Sequence, residues 1–314
     1  MIHKLLALAC HKTTLSLFLL LLLSPRLQSQ TVVQVVSKII EKTFAYQDGY
    51  EVNVEGEKAE IFVETSTSRE VKVRMELVAK HPSLATAEAD LETIQFVTER
   101  LKNKIYLRNY RYDAGRPAQS VMSVKYFITL PETCPVYVKN YFGSANISNL
   151  SNRLRIFGEY SQIDIDNVKG LIDIRTRFGD VVGEKIDGNV TINARRSDIT
   201  LLDIAGSYTI NAQYGTLKLA PNAGLEDMNV NADKSEVHFY GDRLPNLAYT
   251  LRTTHGRLRT PPNLRAVVLE NTPEIQRVQV RPNREYGAGA NVTISVSFGD
   301  LYLEDATARR REGF

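Results

Sequence analysis

The stretch Ile172-Asp173-Ile174-Arg175-Thr176-Arg177-Phe178-Gly179-Asp180 is answered eighteen residues later by Val190-Thr191-Ile192-Asn193-Ala194-Arg195-Arg196-Ser197-Asp198. The same interval separates the turn triplets Phe142-Gly143-Ser144, Tyr160-Ser161-Gln162, Phe178-Gly179-Asp180, Arg196-Ser197-Asp198 and Tyr214-Gly215-Thr216. A second marker keeps the spacing at Val168-Lys169-Gly170, Ile186-Asp187-Gly188 and Ile204-Ala205-Gly206, with Gly224 one repeat further on. Aligned on this period, apolar residues fall into columns. One reads Ala145, Ile163, Val181, Ile199, Leu217, and another Leu150, Val168, Ile186, Ile204. Two more read Leu154, Ile172, Val190, Tyr208 and Ile156, Ile174, Ile192, Ile210, Met228. Beside them runs a column of small residues: Gly158, Thr176, Ala194, Ala212, Val230.

Within each repeat, apolar or small residues alternate with Asp173, Arg175, Thr191 and Asn193, which is the signature of a strand with one wet face. The glycines fall between strands, where a tight turn favours them. A fixed period of this size marks stacked units, each buried against its neighbours. The expected fold is all-β: a β-solenoid, β-helix-like, with eighteen-residue rungs over residues 138–305. A leucine-rich repeat has a similar period, but its Leu and Asn spacing is absent. Beyond residue 225 the spacing loosens. Lys234-Ser235-Glu236-Val237, His255-Gly256-Arg257-Leu258 and Phe298-Gly299-Asp300-Leu301 repeat the turn-strand junction at wider intervals, with prolines between them.

Residues 30–137 show strand patterns without the period. Strands are expected at Val36–Phe44, Tyr50–Gly56, Ala59–Thr65, Glu70–Val78 and Val121–Pro131, with Gly56-Glu57-Lys58 as a short hairpin connection. Pro82–Leu91 favours a short helix, followed by strands at Ile94–Thr98 and Lys104–Arg108; one helix over 85–101 is the competing reading. About seven strands in antiparallel hairpins suggest a small β-sandwich-like domain that caps the solenoid, whose end would otherwise expose unpaired edges.

Residues 1–29 read as a secretory signal peptide: a weakly basic start, the apolar run Leu17–Leu23, then Ser24-Pro25, and Ser29 before Gln30. The run is about half of the roughly 20 residues that span a bilayer, and no later segment is long and apolar enough to cross one. The mature chain would keep one cysteine, Cys134, read as a buried inert thiol, so no internal disulfide forms. The net charge of +3 is close to balance. With no basic stripe interleaved with aromatics, nucleic acid is not an expected partner. The tail 306–314, with Arg309-Arg310-Arg311, reads as a solvated terminus.

The leader, the strand-rich first region, the Ala-Glu-Ala-Asp-Leu segment at 87–91 and the repeats bearing Phe178-Gly179-Asp180 and Tyr214-Gly215-Thr216 resemble the bacterial DUF4097 putative-adhesin family over residues 34–303. The resemblance implies a β-solenoid-like protein of the cell envelope without catalytic residues.

The residues themselves offer no catalytic, cofactor-binding or metal-ligating set. His81, His238 and His255 share no ligand spacing with one another or with a cysteine pair. Calcium-binding β-rolls use a Gly-Gly-x-Gly-x-Asp repeat, which is absent, so Asp164, Asp166, Asp173, Asp180 and Asp187 read as solvated strand and turn residues. A glycosidase needs two facing carboxylates, yet Asp164 shares its outward column with Val182, and Asp173 shares its column with Thr191 and Thr209. Asn193, Asn211 and Asn229 form an outward column that either hydrogen-bonds along the stack or meets glycan hydroxyls. The expected function is an exported, non-enzymatic cell-envelope protein presenting a rigid surface for adhesion or scaffolding, at the periplasm, outer membrane or cell surface. Its partner would be an envelope protein or a glycan. The alternative is a carbohydrate-binding module or carbohydrate-active enzyme on the same scaffold.

Overall fold

The computed structural model describes residues 32–112, 115–241, 247–262, 264–281 and 289–305. The expected signal peptide and the basic tail lie outside the described residues. The chain is all-β, with a single helix among the described residues. The first region holds β1 (Gln34–Ala45), β2 (Glu51–Glu57), β3 (Ala59–Ser66), β4 (Glu70–His81), α1 (Leu84–Leu91), β5 (Ile94–Leu101), β6 (Lys104–Arg111) and β7 (Val121–Pro131). Helix α1 is short because Ser83 caps its start, accepting from the Thr86 N–H at 3.4 Å, and the β5–β6 hairpin follows at once. The two-strand reading of 94–108 therefore holds over the long helix.

The expected antiparallel hairpin at Gly56-Glu57-Lys58 is not formed. Strands β2 and β3 do not pair with each other; each lies parallel to β8 (Val136–Ser148), with Val52 opposite Val136 and Ile61 opposite Ala145. Lys58 takes a left-handed φ of 51°, which swings the chain round a corner instead of reversing it. Strands β6 and β7 then add in parallel outside β2 and β3. Only β1–β4, β4–β7 and β5–β6 are antiparallel, so the first region is a mixed extension of the repeat ladders and not a sandwich of hairpins.

The repeat region continues with β9 (Leu154–Asp166), β10 (Lys169–Arg177), β11 (Val181–Glu184), β12 (Asp187–Arg195), β13 (Ile199–Gln213) and β14 (Thr216–Asp233). Every ladder among them is parallel. Ile174 lies between Ile156 and Ile192, and Ile192 pairs with Ile210, all essentially fully buried. Burying each such side chain is worth about 1.5–3 kcal/mol. The long strands β9 and β13 both pair with β11, and they are joined again through β10 and β12, as β9 pairs with β10, β10 with β12 and β12 with β13. The pairing of these five parallel strands thus closes on itself like a barrel. At the corner before β12, Gly188 has φ 144° and a Cβ there would lie 2.0 Å from the Gly170 carbonyl oxygen, so only glycine fits.

Within β14 the offset changes from eighteen, where Ile199 pairs with Leu217, to twenty, where Ile210 pairs with Val230 and Ala212 with Ala232. Met228 and Val230 are therefore each one place out in the columns expected from sequence: Met228 faces Tyr208. The extra residues are taken up near Ile204–Leu225, where the register shifts and Asn222 bonds back to Asp203 at 2.9 Å. Strands β15 (Glu236–Gly241), β16 (Ala248–Thr254), β17 (Leu258–Arg259), β18 (Ala266–Asn271), β19 (Ile275–Val280), β20 (Asn291–Ser297) and β21 (Leu301–Asp305) complete the fold. They join out of chain order: β20 lies between β14 and β16, and β21 between β15 and β17. A hairpin of β18 and β19 pairs antiparallel on β16.

Candidate functional site

The outward face of β10, β12, β13, β14 and β20 forms an open groove of about 600 Å³. Parallel pairing sets its lining in two rows. Arg175, Asn193, Asn211, Asn231 and Ser295 occupy one; Arg177, Arg195, Gln213, Asp233 and Ser297 occupy the other. The third asparagine of the column is Asn231, not Asn229, because of the two-residue insertion; Asn229 sits beside Thr209. The amides bond along the stack, Asn211 Nδ2 donating to Asn193 Oδ1 at 3.1 Å and Asn231 Nδ2 to Asn211 Oδ1 at 3.4 Å. Each carboxamide has further donors and acceptors than these bonds use.

One border of the groove is a corner at which every residue is left-handed. Phe142, Tyr160, Phe178, Arg196, Tyr214 and Lys234, then Phe298 and His255, have φ between 49° and 59°. That conformation costs a non-glycine residue roughly 1–2 kcal/mol, and stacking with the repeats above and below offsets it. Phe142 and Tyr160 lie 5.0 Å apart at 4°, and Tyr160 and Phe178 lie 4.7 Å apart at 4°. The Arg196 guanidinium sits over Phe178 at 5.4 Å and over Tyr214 at 5.8 Å, and Lys234 Nζ over Tyr214 at 5.2 Å. Each aromatic pair contributes about 0.5–1.5 kcal/mol beyond its burial. The sequence carried this column as turn markers at a fixed spacing; what it did not display was that the side chains stack. Arg177 and Arg195 recur at the same period, but nothing in the sequence alone marked them out.

On the face lined by Phe62, Asn146, Asp164 and Val182, a second groove of about 300 Å³ carries Glu64, Asp166 and Glu184. Asp164 faces Val182 as expected, but Asp166 and Glu184 do stack on adjacent strands. Lys185 lies between them, 3.9 Å from Asp166 and 2.9 Å from Glu184, and these carboxylates raise its pKa. An exposed pair tied to one lysine lacks the burial that prepares a carboxyl as a general acid. His238 is held by Glu236 at 2.6 Å and Glu304 at 3.4 Å and stacks on Tyr302 at 4.6 Å, while His255 stacks on Phe298. No cluster of three potential ligands suited to a metal occurs among the described residues. Cys134 is buried, and that burial pushes its thiol up to about 12, leaving almost no thiolate at neutral pH.

No family model and no curated protein matches the chain. The DUF4097 resemblance therefore stands on its motifs alone. Among solved structures, the chain is similar to a putative adhesin from Bacteroides fragilis, 13% identical over 85% of this chain and 97% of that one, with a TM-score of 0.43. It is also similar to a putative adhesin from Parabacteroides merdae (13% identical, 86% and 96% covered, TM-score 0.42). A third likeness is to a putative cell adhesion protein from Clostridium sporogenes (11% identical, 87% and 100% covered, TM-score 0.29). Among the described residues no helix is long and apolar enough to cross a membrane.

Proposed function

We propose that this is an exported, non-enzymatic protein of the cell envelope whose repeats form a rigid β-solenoid presenting an extended surface for adhesion or scaffolding. In this reading residues 1–29 are a cleaved signal, 30–137 form a domain that caps the solenoid at 138–305, and 306–314 are a basic tail. The observation that carries it is the register of the parallel ladders. From β8 to β13 each residue faces its counterpart eighteen positions on, so outward side chains form unbroken rows on a stiff frame. Such rows suit recognition of an extended partner. The placing of β2 and β3 on the free edge of β8 supports the capping role. The polar groove beside the stacked corner supports the carbohydrate-binding alternative over a catalytic one, since its lining lacks a pair of facing carboxylates.

The test is expression of the full chain in a bacterial host, with N-terminal sequencing and protease treatment of intact cells and spheroplasts. The expected result is a product beginning near Gln30 and digested by protease added to intact cells or to spheroplasts. An uncleaved, cytoplasmic product would overturn the proposal.

A further inference from the structure

We infer that the groove over β10, β12, β13 and β14 binds a linear acidic polysaccharide, its carboxylates or sulfates engaged by Arg177, Arg195 and Arg196 and its hydroxyls by the asparagine row. This deepens the surface role proposed above and rests on that face being open to the outside of the cell.

Charge is the first argument. Among the described residues Arg175 pairs with Asp173 at 3.5 Å, whereas Arg177, Arg195 and Arg196 form no ion pair, although Glu159 is the neighbour of Arg177 in the ladder. The one acid of the lining, Asp233, already accepts from Gln213 Nε2 at 3.0 Å. Neighbouring strands set about 4.8 Å apart place Arg177 and Arg195 side by side, and the Arg196 guanidinium sits over both Phe178 and Tyr214. Unpaired guanidiniums fixed in this way match planar or tetrahedral oxyanions through paired hydrogen bonds.

Hydrogen bonding is the second. Asn193, Asn211 and Asn231 repeat the same amide at one spacing along the groove, and each can both donate to and accept from a hydroxyl. A linear chain of sugar units meets that demand; a protein carboxylate run has no hydroxyls to offer.

The third argument excludes rivals. Single-stranded nucleic acids add to a basic groove a series of aromatic faces on which successive bases stack. Here the ring faces of Phe142, Tyr160 and Phe178 cover one another at 4.7–5.0 Å, and Phe157, the one aromatic residue of the groove lining, meets Tyr141 edge-on at 6.1 Å, so no row of open rings runs along the groove. Recognition must then come from charge and hydrogen bonds.

The experiment measures binding of the full exported chain to polygalacturonate, to its methyl ester and to poly-glutamate by calorimetry at low and moderate salt. Expected is saturable, salt-sensitive binding of polygalacturonate, with each of the other two weaker by about tenfold or more. The exposed double substitution Arg177→Gln/Arg195→Gln should lose about tenfold in affinity at an unchanged Tm, while Arg153→Gln, away from the groove, should bind as the wild type does. Equal affinity for the methyl ester or for poly-glutamate, or an unaffected double variant, would overturn the inference. Because this is read on purified protein, a cytoplasmic result in the export test would leave groove binding measurable and refute only the cellular role.

Discussion

Asn140 shows how much one side chain can tie together. It is fully buried in the small-residue column, where later repeats carry Gly158, Thr176, Ala194 and Ala212. The two N–H bonds of its Nδ2 are shared among three acceptors, the Ala59 carbonyl at 2.9 Å, the Ser161 hydroxyl at 2.9 Å and the Ser144 carbonyl at 3.2 Å, joining β3, β8 and β9. Asn140→Ala would leave these acceptors buried without their donor, each such loss costing about 1–3 kcal/mol where water cannot replace it. A drop in unfolding free energy of roughly 2 kcal/mol in urea is expected, with the slope unchanged. Asn140 stands eighteen residues before Gly158, so carrying the period back one step would have found the position. The sequence alone does not reveal that the column changes from a packing role to a bonding role where the repeats meet the first region.

At the scale of elements, α1 and the loop before β7 are joined through Asp90. Its carboxyl is 1% exposed, accepts from the Gln119 and Ser120 N–H groups at 2.9 and 2.8 Å, and lies 3.2 Å from the Arg116 guanidinium. Burial alone would push its pKa up, but the hydrogen bonds from Ser120 and Gln119 and the charge of Arg116 outweigh it and hold the group below the usual carboxylate range. A carboxylate with a depressed folded pKa contributes stability that is present in full above its unfolded value, near 4, and is lost as pH falls through the folded value. Urea midpoints of wild type and Asp90→Asn should therefore differ at pH 7, with wild type the more stable, and converge as pH drops below about 4. A gap that stays constant down to pH 3 would show that the bonds are not charge-linked. The elements here were readable from composition and alternation, yet their pairing was not. Alternation in β2 and β3 says which side chains are inward, not which strand lies alongside. Lys58, an ordinary lysine in sequence, decides that by its left-handed φ.

For the molecule as a whole, one buried column runs through both regions: Leu107, Val54, Val138, Ile156, Ile174, Ile192, Ile210, Val230, Ile294 and Leu251, in order of pairing. The period exposed only its middle, because the strands that extend it at either end come from distant parts of the chain: β6 and β2 on one side, β20 and then β16 on the other. An eighteen-residue repeat cannot register a neighbour contributed some sixty residues away. Continuity of the column bears on cooperativity. Truncating a buried Leu or Ile to Ala costs about 2–5 kcal/mol, and in a stack each layer passes that loss to its neighbours. Leu107→Ala lies in the first region and Ile192→Ala in the repeats, and both sites are essentially inaccessible to solvent. If the ladders act as one unit, calorimetry of each variant should show a single transition moved to lower temperature, with no shoulder left at the wild-type Tm. Two transitions, with Leu107→Ala lowering one and Ile192→Ala the other, would instead mean that residues 30–137 fold as an independent cap. The β2–β8 and β3–β8 ladders would then transmit little of the loss, even though they pair in full register.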